Sequence, residues 1–246
     1  MKKLLNIQKY LFNITLFTEA LPFIFLLLFS NRIKDKGKRE FFLYAALTAL
    51  SVICLFLFRY VYPDRTIYFT IGRIHPVIEF SIIAWIFSLF FQNKIIKKIV
   101  AFAPIPFFLI CLIDYLSAKT LSIAYVPLLT ECLFFISLFI YFFFEKMKQD
   151  INEPLFNTFI FWIAVAFLIN FSGNFLLFVY SETSNKEPDF KTNYTIIYST
   201  VTIIKNILLC IAVTMKENLT KNTSANNNLS INTNPLFFNP DKTSSI

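Results

Sequence analysis

The chain has 246 residues, of which 57% are hydrophobic, 19% are aromatic and only 15% are charged. Soluble domains carry roughly 25% charged residues, so this composition predicts an integral membrane protein whose surroundings are a lipid bilayer. The net charge of +8 does not indicate a nucleic-acid partner. The basic residues lie in short runs between apolar stretches, where membrane topology accounts for them.

The scarce residue types exclude several kinds of site. Three separated glycines exclude a glycine-rich phosphate loop, and one histidine excludes a multi-histidine zinc site. The four cysteines all lie in apolar stretches without CxxC spacing, as is typical of buried thiols. We therefore expect neither a metal ion nor a cofactor.

Apolar stretches long enough to cross a membrane recur along the chain. A helix needs about 20 mainly apolar residues to span a hydrocarbon core of roughly 30 Å. Pro104 and Pro106 are expected to kink the fourth and shortest of these stretches, and short connections should make successive helices pack as neighbours. We predict an all-α bundle of seven transmembrane helices within residues 1–216, at approximately 8–29, 41–62, 67–91, 98–114, 122–144, 155–180 and 194–215.

The two ends of the chain differ in character. Lys2 and Lys3 precede an apolar run without a small-residue cleavage motif, so we interpret the first segment as a retained helix. Residues 217–246 are rich in Asn, Ser and Thr, which predicts a disordered polar tail. Twelve Lys and Arg residues fall on one predicted side of the membrane and nine on the other. This asymmetry predicts that the N-terminus lies outside the membrane and the C-terminus inside.

A degenerate repeat runs through the odd-numbered segments. Three of them combine a glutamate and a proline with a following apolar run and a polar stop: Glu19 with Pro22, Glu79 with Pro76, and Glu131 with Pro127. The pattern suggests that helices 1–2, 3–4 and 5–6 are related hairpins and that helix 7 is an addition. Such repeats are common in transporters.

Four ionisable side chains share one predicted depth in the membrane. Glu19, Glu79, Glu131 and Lys205 lie 10 to 13 residues before the predicted inner ends of four helices that run in the same direction. That is roughly 15–20 Å, close to the bilayer midplane. Charges at this depth normally face the bundle interior and pair with one another. We therefore predict a polar pocket in which Lys205 neutralises at least one glutamate.

Further polar side chains fall near the same layer. His75 precedes Glu79 by four residues and shares its helix face. Asn170 and Asn174 are also four residues apart, and Asn206 follows Lys205. With the four charged residues they form the candidate site for a ligand or a proton. The alternative is that these side chains only join helices through hydrogen bonds, worth about 0.6 kcal/mol each.

Several short motifs lie along the chain: Ile78-Glu79-Phe80, Glu153-Pro-Leu-Phe156, Phe161-Trp162, Asn170-Phe-Ser-Gly-Asn174-Phe-Leu-Leu-Phe and Ile203-Ile-Lys-Asn206-Ile-Leu. Through them residues 8–215 resemble an uncharacterised family of bacterial seven-helix membrane proteins. The resemblance implies a relative of membrane sensor regions, some of which are encoded near signalling kinases, and no established activity. The chain departs from the family by inserting Asn157-Thr-Phe-Ile before Phe161, which leaves the start of the sixth helix open.

Two functions remain open. The first is a sensory or signalling component that contacts a signalling kinase or another membrane protein through residues 32–39 and the tail. The second is a small-solute or proton-coupled transporter, since intramembrane glutamates can carry protons. Catalysis is not expected, because the chain has one histidine and no Gly-x-Ser-x-Gly elbow. A retinal protein is disfavoured because residue 201 is Val where an acid would be expected.

Overall fold

A computed structural model describes residues 2–29, 37–58, 65–117, 125–148, 155–184 and 190–215. Every regular element in these ranges is helical, which confirms the predicted all-α class. The predicted disordered tail lies outside them. The helices are α1 (Lys2–Leu28), α2 (Lys38–Phe56), α3 (Arg65–Ser88), α4 (Lys94–Phe102), α5 (Pro104–Ser117), α6 (Tyr125–Met147), α7 (Phe159–Ser184) and α8 (Phe190–Thr214).

Within the described residues, six helical stretches are long and apolar enough to cross a membrane: Lys38–Phe56, Thr70–Ser88, Lys94–Ser117, Val126–Met147, Phe159–Tyr180 and Thr192–Thr214. They make the chain a multi-pass membrane protein. The apolar stretch of α1 is shorter than these six and covers Asn13–Leu28. The seventh crossing therefore stays a prediction.

The fourth predicted segment is divided into two helices. α4 ends at Phe102 and α5 begins at Pro104, because proline has no N–H for an interior helical bond but suits the first position of a helix. The division lies at the prolines for which a kink was predicted. The segment begins earlier than the predicted residue 98, because Asn93 caps α4 by accepting a hydrogen bond from the Ile95 N–H at 2.9 Å.

The structure gives the start of the sixth predicted helix. Residues Leu155–Asn157 form a single 3₁₀ turn, and α7 begins at Phe159 rather than at 155. The indole of Trp162 donates to the Phe156 carbonyl at 2.8 Å. The insertion therefore divides between two elements: Asn157 ends the 3₁₀ turn, whereas Phe159 and Ile160 begin α7.

The helices pack in a closed ring. Each helix contacts the next in sequence from α1 to α8, with α4 and α5 both against α3, and α8 returns to pack extensively against α1. Packing between sequence neighbours confirms the prediction. The α1–α8 contact was not predicted, and it closes the ring around a central space.

One half of the ring interior is filled by phenylalanine. Phe87 of α3 packs against Phe139 and Phe142 of α6, and Phe139 stacks with Phe167 of α7 at 6.2 Å between centroids. Phe41 of α2 meets α7 in the same region. All five rings have no solvent exposure. We call this region the aromatic half.

A buried lysine joins α2 to α8 at the end of the aromatic half. Lys38 follows Gly37, whose φ of +83° favours glycine. Its Nζ donates to the Met215 carbonyl at 2.9 Å and lies 5.4 Å from the centroid of the Phe159 ring. Only 1% of the residue is exposed.

Replacing this lysine is expected to weaken the bundle. Lys38→Met keeps the side-chain length but removes a charge-assisted hydrogen bond, so the free energy of unfolding should fall by about 2 kcal/mol. The control is Arg39→Met, since Arg39 is exposed. Denaturation in detergent micelles measures both variants, and equal stability would show that the Lys38 contact contributes nothing.

Gly173 of α7 lies against α8. A Cβ at this position would meet Cγ2 of Val201 at 2.6 Å and Cγ1 at 2.9 Å, and the β-branched valine has little rotamer freedom in a helix. Gly173→Ala is therefore expected to push α7 and α8 apart and lower the free energy of unfolding by about 1–3 kcal/mol.

Two variants serve as controls for Gly173→Ala. At Gly72 a Cβ would meet nothing within 4 Å, so Gly72→Ala should leave stability unchanged or raise it, because alanine favours helices. Val201→Ala, added to Gly173→Ala, should restore part of the loss. Similar losses at both glycines would contradict the close α7–α8 contact.

Candidate functional site

A polar cavity of about 470 Å³ occupies the other half of the ring. Residues of α1, α2, α3, α6, α7 and α8 line it. This volume is within the range of pockets that hold small molecules, roughly 300–1,000 Å³. Seven of the eight predicted site residues line this cavity: Glu19, His75, Glu79, Glu131, Asn170, Asn174 and Lys205.

Asn206 is the predicted residue that does not line the cavity. Its Nδ2 donates to Oγ1 of Thr18 at 3.3 Å, and only 1% of the residue is exposed. The bond joins α8 to α1 where the ring closes. We therefore assign Asn206 to helix packing rather than to the cavity.

Glu79 is held by two neighbours. The Tyr44 hydroxyl donates to its Oε1 at 3.1 Å, which links α2 to α3. Nδ1 of His75 lies 3.4 Å from Oε2, one helical turn away on the shared face. Sequence reasoning missed Tyr44; the available signal was a tyrosine in an apolar helix, whose buried hydroxyl needs a partner.

Glu19 of α1 and Lys205 of α8 bring opposite charges to the cavity from two helices that pack together. Lys205 is 5% exposed. Among the described cavity residues, the ion pair within 4 Å joins His75 and Glu79. Lys205 and Glu19 therefore share the cavity without forming a direct ion pair.

Four buried oxygens of the cavity residues lack a hydrogen-bond partner within the described part of the chain. They are Oε1 of Glu131 on α6, Oδ1 of Asn170 and of Asn174 on α7, and Oγ of Ser199 on α8. Ser199, which also lines the cavity, was not predicted, because a serine between Tyr198 and Thr200 carries no distinctive signal. Buried polar atoms are normally bonded, so these oxygens are suited to a bound donor.

The cavity adjoins a set of packed phenylalanine rings. Phe171 lines the cavity and stacks against Phe135 of α6, with 4.8 Å between the ring centroids. Phe135 in turn packs against Phe80 and Phe139. The arrangement offers carboxylates, an amine, an imidazole and amides to a small polar solute.

Comparison of the chain with models of protein families, with curated proteins and with solved structures finds no match.

Proposed function

We propose that this membrane protein is a sensory or signalling component that binds a small polar solute in the cavity. The observation that carries the proposal is a ligand-sized polar cavity, which adjoins packed phenylalanine rings at Phe171. A sensor needs a site that receives a ligand without passing it through. The resemblance to bacterial seven-helix proteins related to sensor regions supports the same function.

Binding at this site would act on the bundle through the unpartnered oxygens. They belong to α6, α7 and α8, so a ligand that bonds to several of them favours the arrangement in which these helices approach one another. A ligand shifts a conformational equilibrium only by its difference in affinity for the two states. The output partner in this proposal is a signalling kinase or another membrane protein, contacted through residues 32–39 and the tail.

A small-solute or proton-coupled transporter is the second candidate. It is favoured by the three carboxyl groups and the lysine that line one intramembrane cavity, because such groups mark ion and proton pathways. Transport would require the aromatic half to open, with separation of the ring contacts between α3, α6 and α7.

Flux measurements distinguish the two candidates. The full-length protein is placed in liposomes and offered a hydrolysate of ¹⁴C-labelled amino acids, followed by a panel of labelled amines and carboxylic acids. A receptor binds a labelled solute without accelerating its exchange across the bilayer. Counterflow of a bound solute, absent from liposomes that carry Glu131→Gln, would instead establish the transporter.

The proposed orientation has the N-terminus outside the bacterial inner membrane and the C-terminus inside. Cysteines introduced at Ser184 and Lys36 should be labelled from opposite sides of the membrane. The reason is that the uneven distribution of Lys and Arg predicts a cytoplasmic location for residues 31–40. The four native cysteines lie within helices, so wild-type protein supplies the background for an impermeant maleimide. Labelling of both positions from outside would contradict the topology.

A further inference from the structure

We propose that the cavity recognises a protonated primary amine, whose ammonium group is held by Glu131, Asn170, Asn174 and Ser199. This inference rests on the proposed function, in that it names the ligand class of the same cavity. The evidence for it is a set of buried side-chain oxygens that have no hydrogen-bond partner among the described residues.

We call these four cavity-lining residues the acceptor cluster. Only 3% of Glu131, 6% of Asn170, 9% of Asn174 and 1% of Ser199 is exposed. Each has a buried oxygen without a hydrogen bond among the described residues. An unsatisfied buried acceptor is unfavourable by about 1–3 kcal/mol. Donors supplied by a ligand in the cavity would remove this penalty.

Glu131 differs from the other carboxyl groups of the cavity. Tyr44 and His75 hold the Glu79 carboxylate, and Glu19 lies on α1, which packs against the helix that carries Lys205. Glu131 lies on α6, and its Oε1 is buried without a hydrogen-bond partner among the described residues. Glu131 is thus the carboxyl that remains available to pair with a cationic ligand.

The chemistry of the acceptor cluster selects a primary ammonium group. The carboxylate and amide oxygens are acceptors, and a primary ammonium offers three N–H donors on a compact charge. A quaternary ammonium has the charge but no N–H, and a carboxylate ligand would add acceptors where donors are missing. A monovalent metal ion has the charge without directional donors. These three chemistries are the comparisons for the test.

The test uses the purified full-length protein in detergent with propylamine hydrochloride as the probe. Tetramethylammonium chloride, sodium chloride and sodium propionate are compared at equal ionic strength, with calorimetry and the melting temperature as measurements. Propylamine should bind saturably and raise the melting temperature with concentration. The other three should bind at least about tenfold more weakly, because each lacks the donors or the positive charge.

Variants assign the binding to the acceptor cluster. Glu131→Gln and Asn174→Leu should each weaken propylamine binding about tenfold or more, while both elute as folded protein in size-exclusion chromatography. The matched control is Glu40→Gln, in the first turn of α2 and outside the cavity, which should bind as wild type does. If Glu131→Gln does not fold, Asn174→Leu alone carries the comparison.

The outcomes separate this inference from the proposed function. Preferred binding of tetramethylammonium, sodium or propionate, or unchanged propylamine affinity in Asn174→Leu, would overturn the ammonium assignment and leave the sensory proposal standing. Propylamine binding together with counterflow of labelled propylamine would support the assignment and replace the sensor by a transporter.

Discussion

Phe139→Ala is expected to lower the free energy of unfolding by about 3–5 kcal/mol, the largest effect predicted for a single core position. Phe139 has no solvent exposure and is the ring at which three helices meet. Its centroid lies 4.8 Å from that of Phe87 on α3, and 6.2 Å from those of Phe167 and Phe171 on α7. Its removal leaves a void that stiff helices cannot close.

The control for Phe139→Ala removes the same atoms from the outer surface. Phe102 is 65% exposed at the end of α4, so Phe102→Ala should change stability much less. Both variants are unfolded by denaturant titration in the same detergent. Equal losses would show that the aromatic half is not the packed core of the bundle, and Phe139→Leu should lie between wild type and Phe139→Ala.

Hydropathy predicts the spans of this protein well, because crossing a membrane imposes a length and an apolar composition on each helix. It predicts the ends less well. α4 begins at Lys94, four residues before the expected start, because the Asn93 side chain caps it, and hydropathy does not register such a cap. Similarly, the turn at Leu155–Asn157 depends on local hydrogen bonds, and these contribute nothing to an apolar average.

The sequence predicts those members of the candidate site that are identified by their depth in the membrane. Charged residues are so unfavourable in hydrocarbon that helices must turn them inward, and equal depth on neighbouring helices then brings them together. This reasoning found Glu19, Glu79, Glu131 and Lys205, all of which line the cavity. Whether they bind a ligand or a proton stays a prediction.

Depth alone does not determine the direction of a side chain. Asn206 follows Lys205 in sequence, yet successive helical residues point about 100° apart, so Lys205 reaches the cavity and Asn206 reaches Thr18 of α1. Sequence reasoning could not separate them without knowing that α1 and α8 are neighbours. The α1–α8 contact is a long-range pairing, which an apolar profile does not encode.

Lys205→Met is expected to lower the free energy of unfolding by about 3 kcal/mol. Breaking a buried ion pair typically costs about 3–5 kcal/mol, because the remaining charge is left uncompensated. The lower value applies here because Lys205 and Glu19 line the same cavity without forming a direct ion pair. Lys98→Met, at an exposed position of α4, is the matched control and should leave stability nearly unchanged.

A double-mutant cycle identifies the partner of Lys205. Glu19→Gln should restore part of the stability lost in Lys205→Met, since neutralising both groups leaves no uncompensated charge. Glu79→Gln should restore less, because Tyr44 and His75 already hold that carboxylate. If Glu131→Gln restores the most, then Lys205 compensates the acceptor cluster and an ammonium ligand has no free carboxylate to pair with. If no glutamate couples to Lys205, the charges lie at one depth but do not form one electrostatic site.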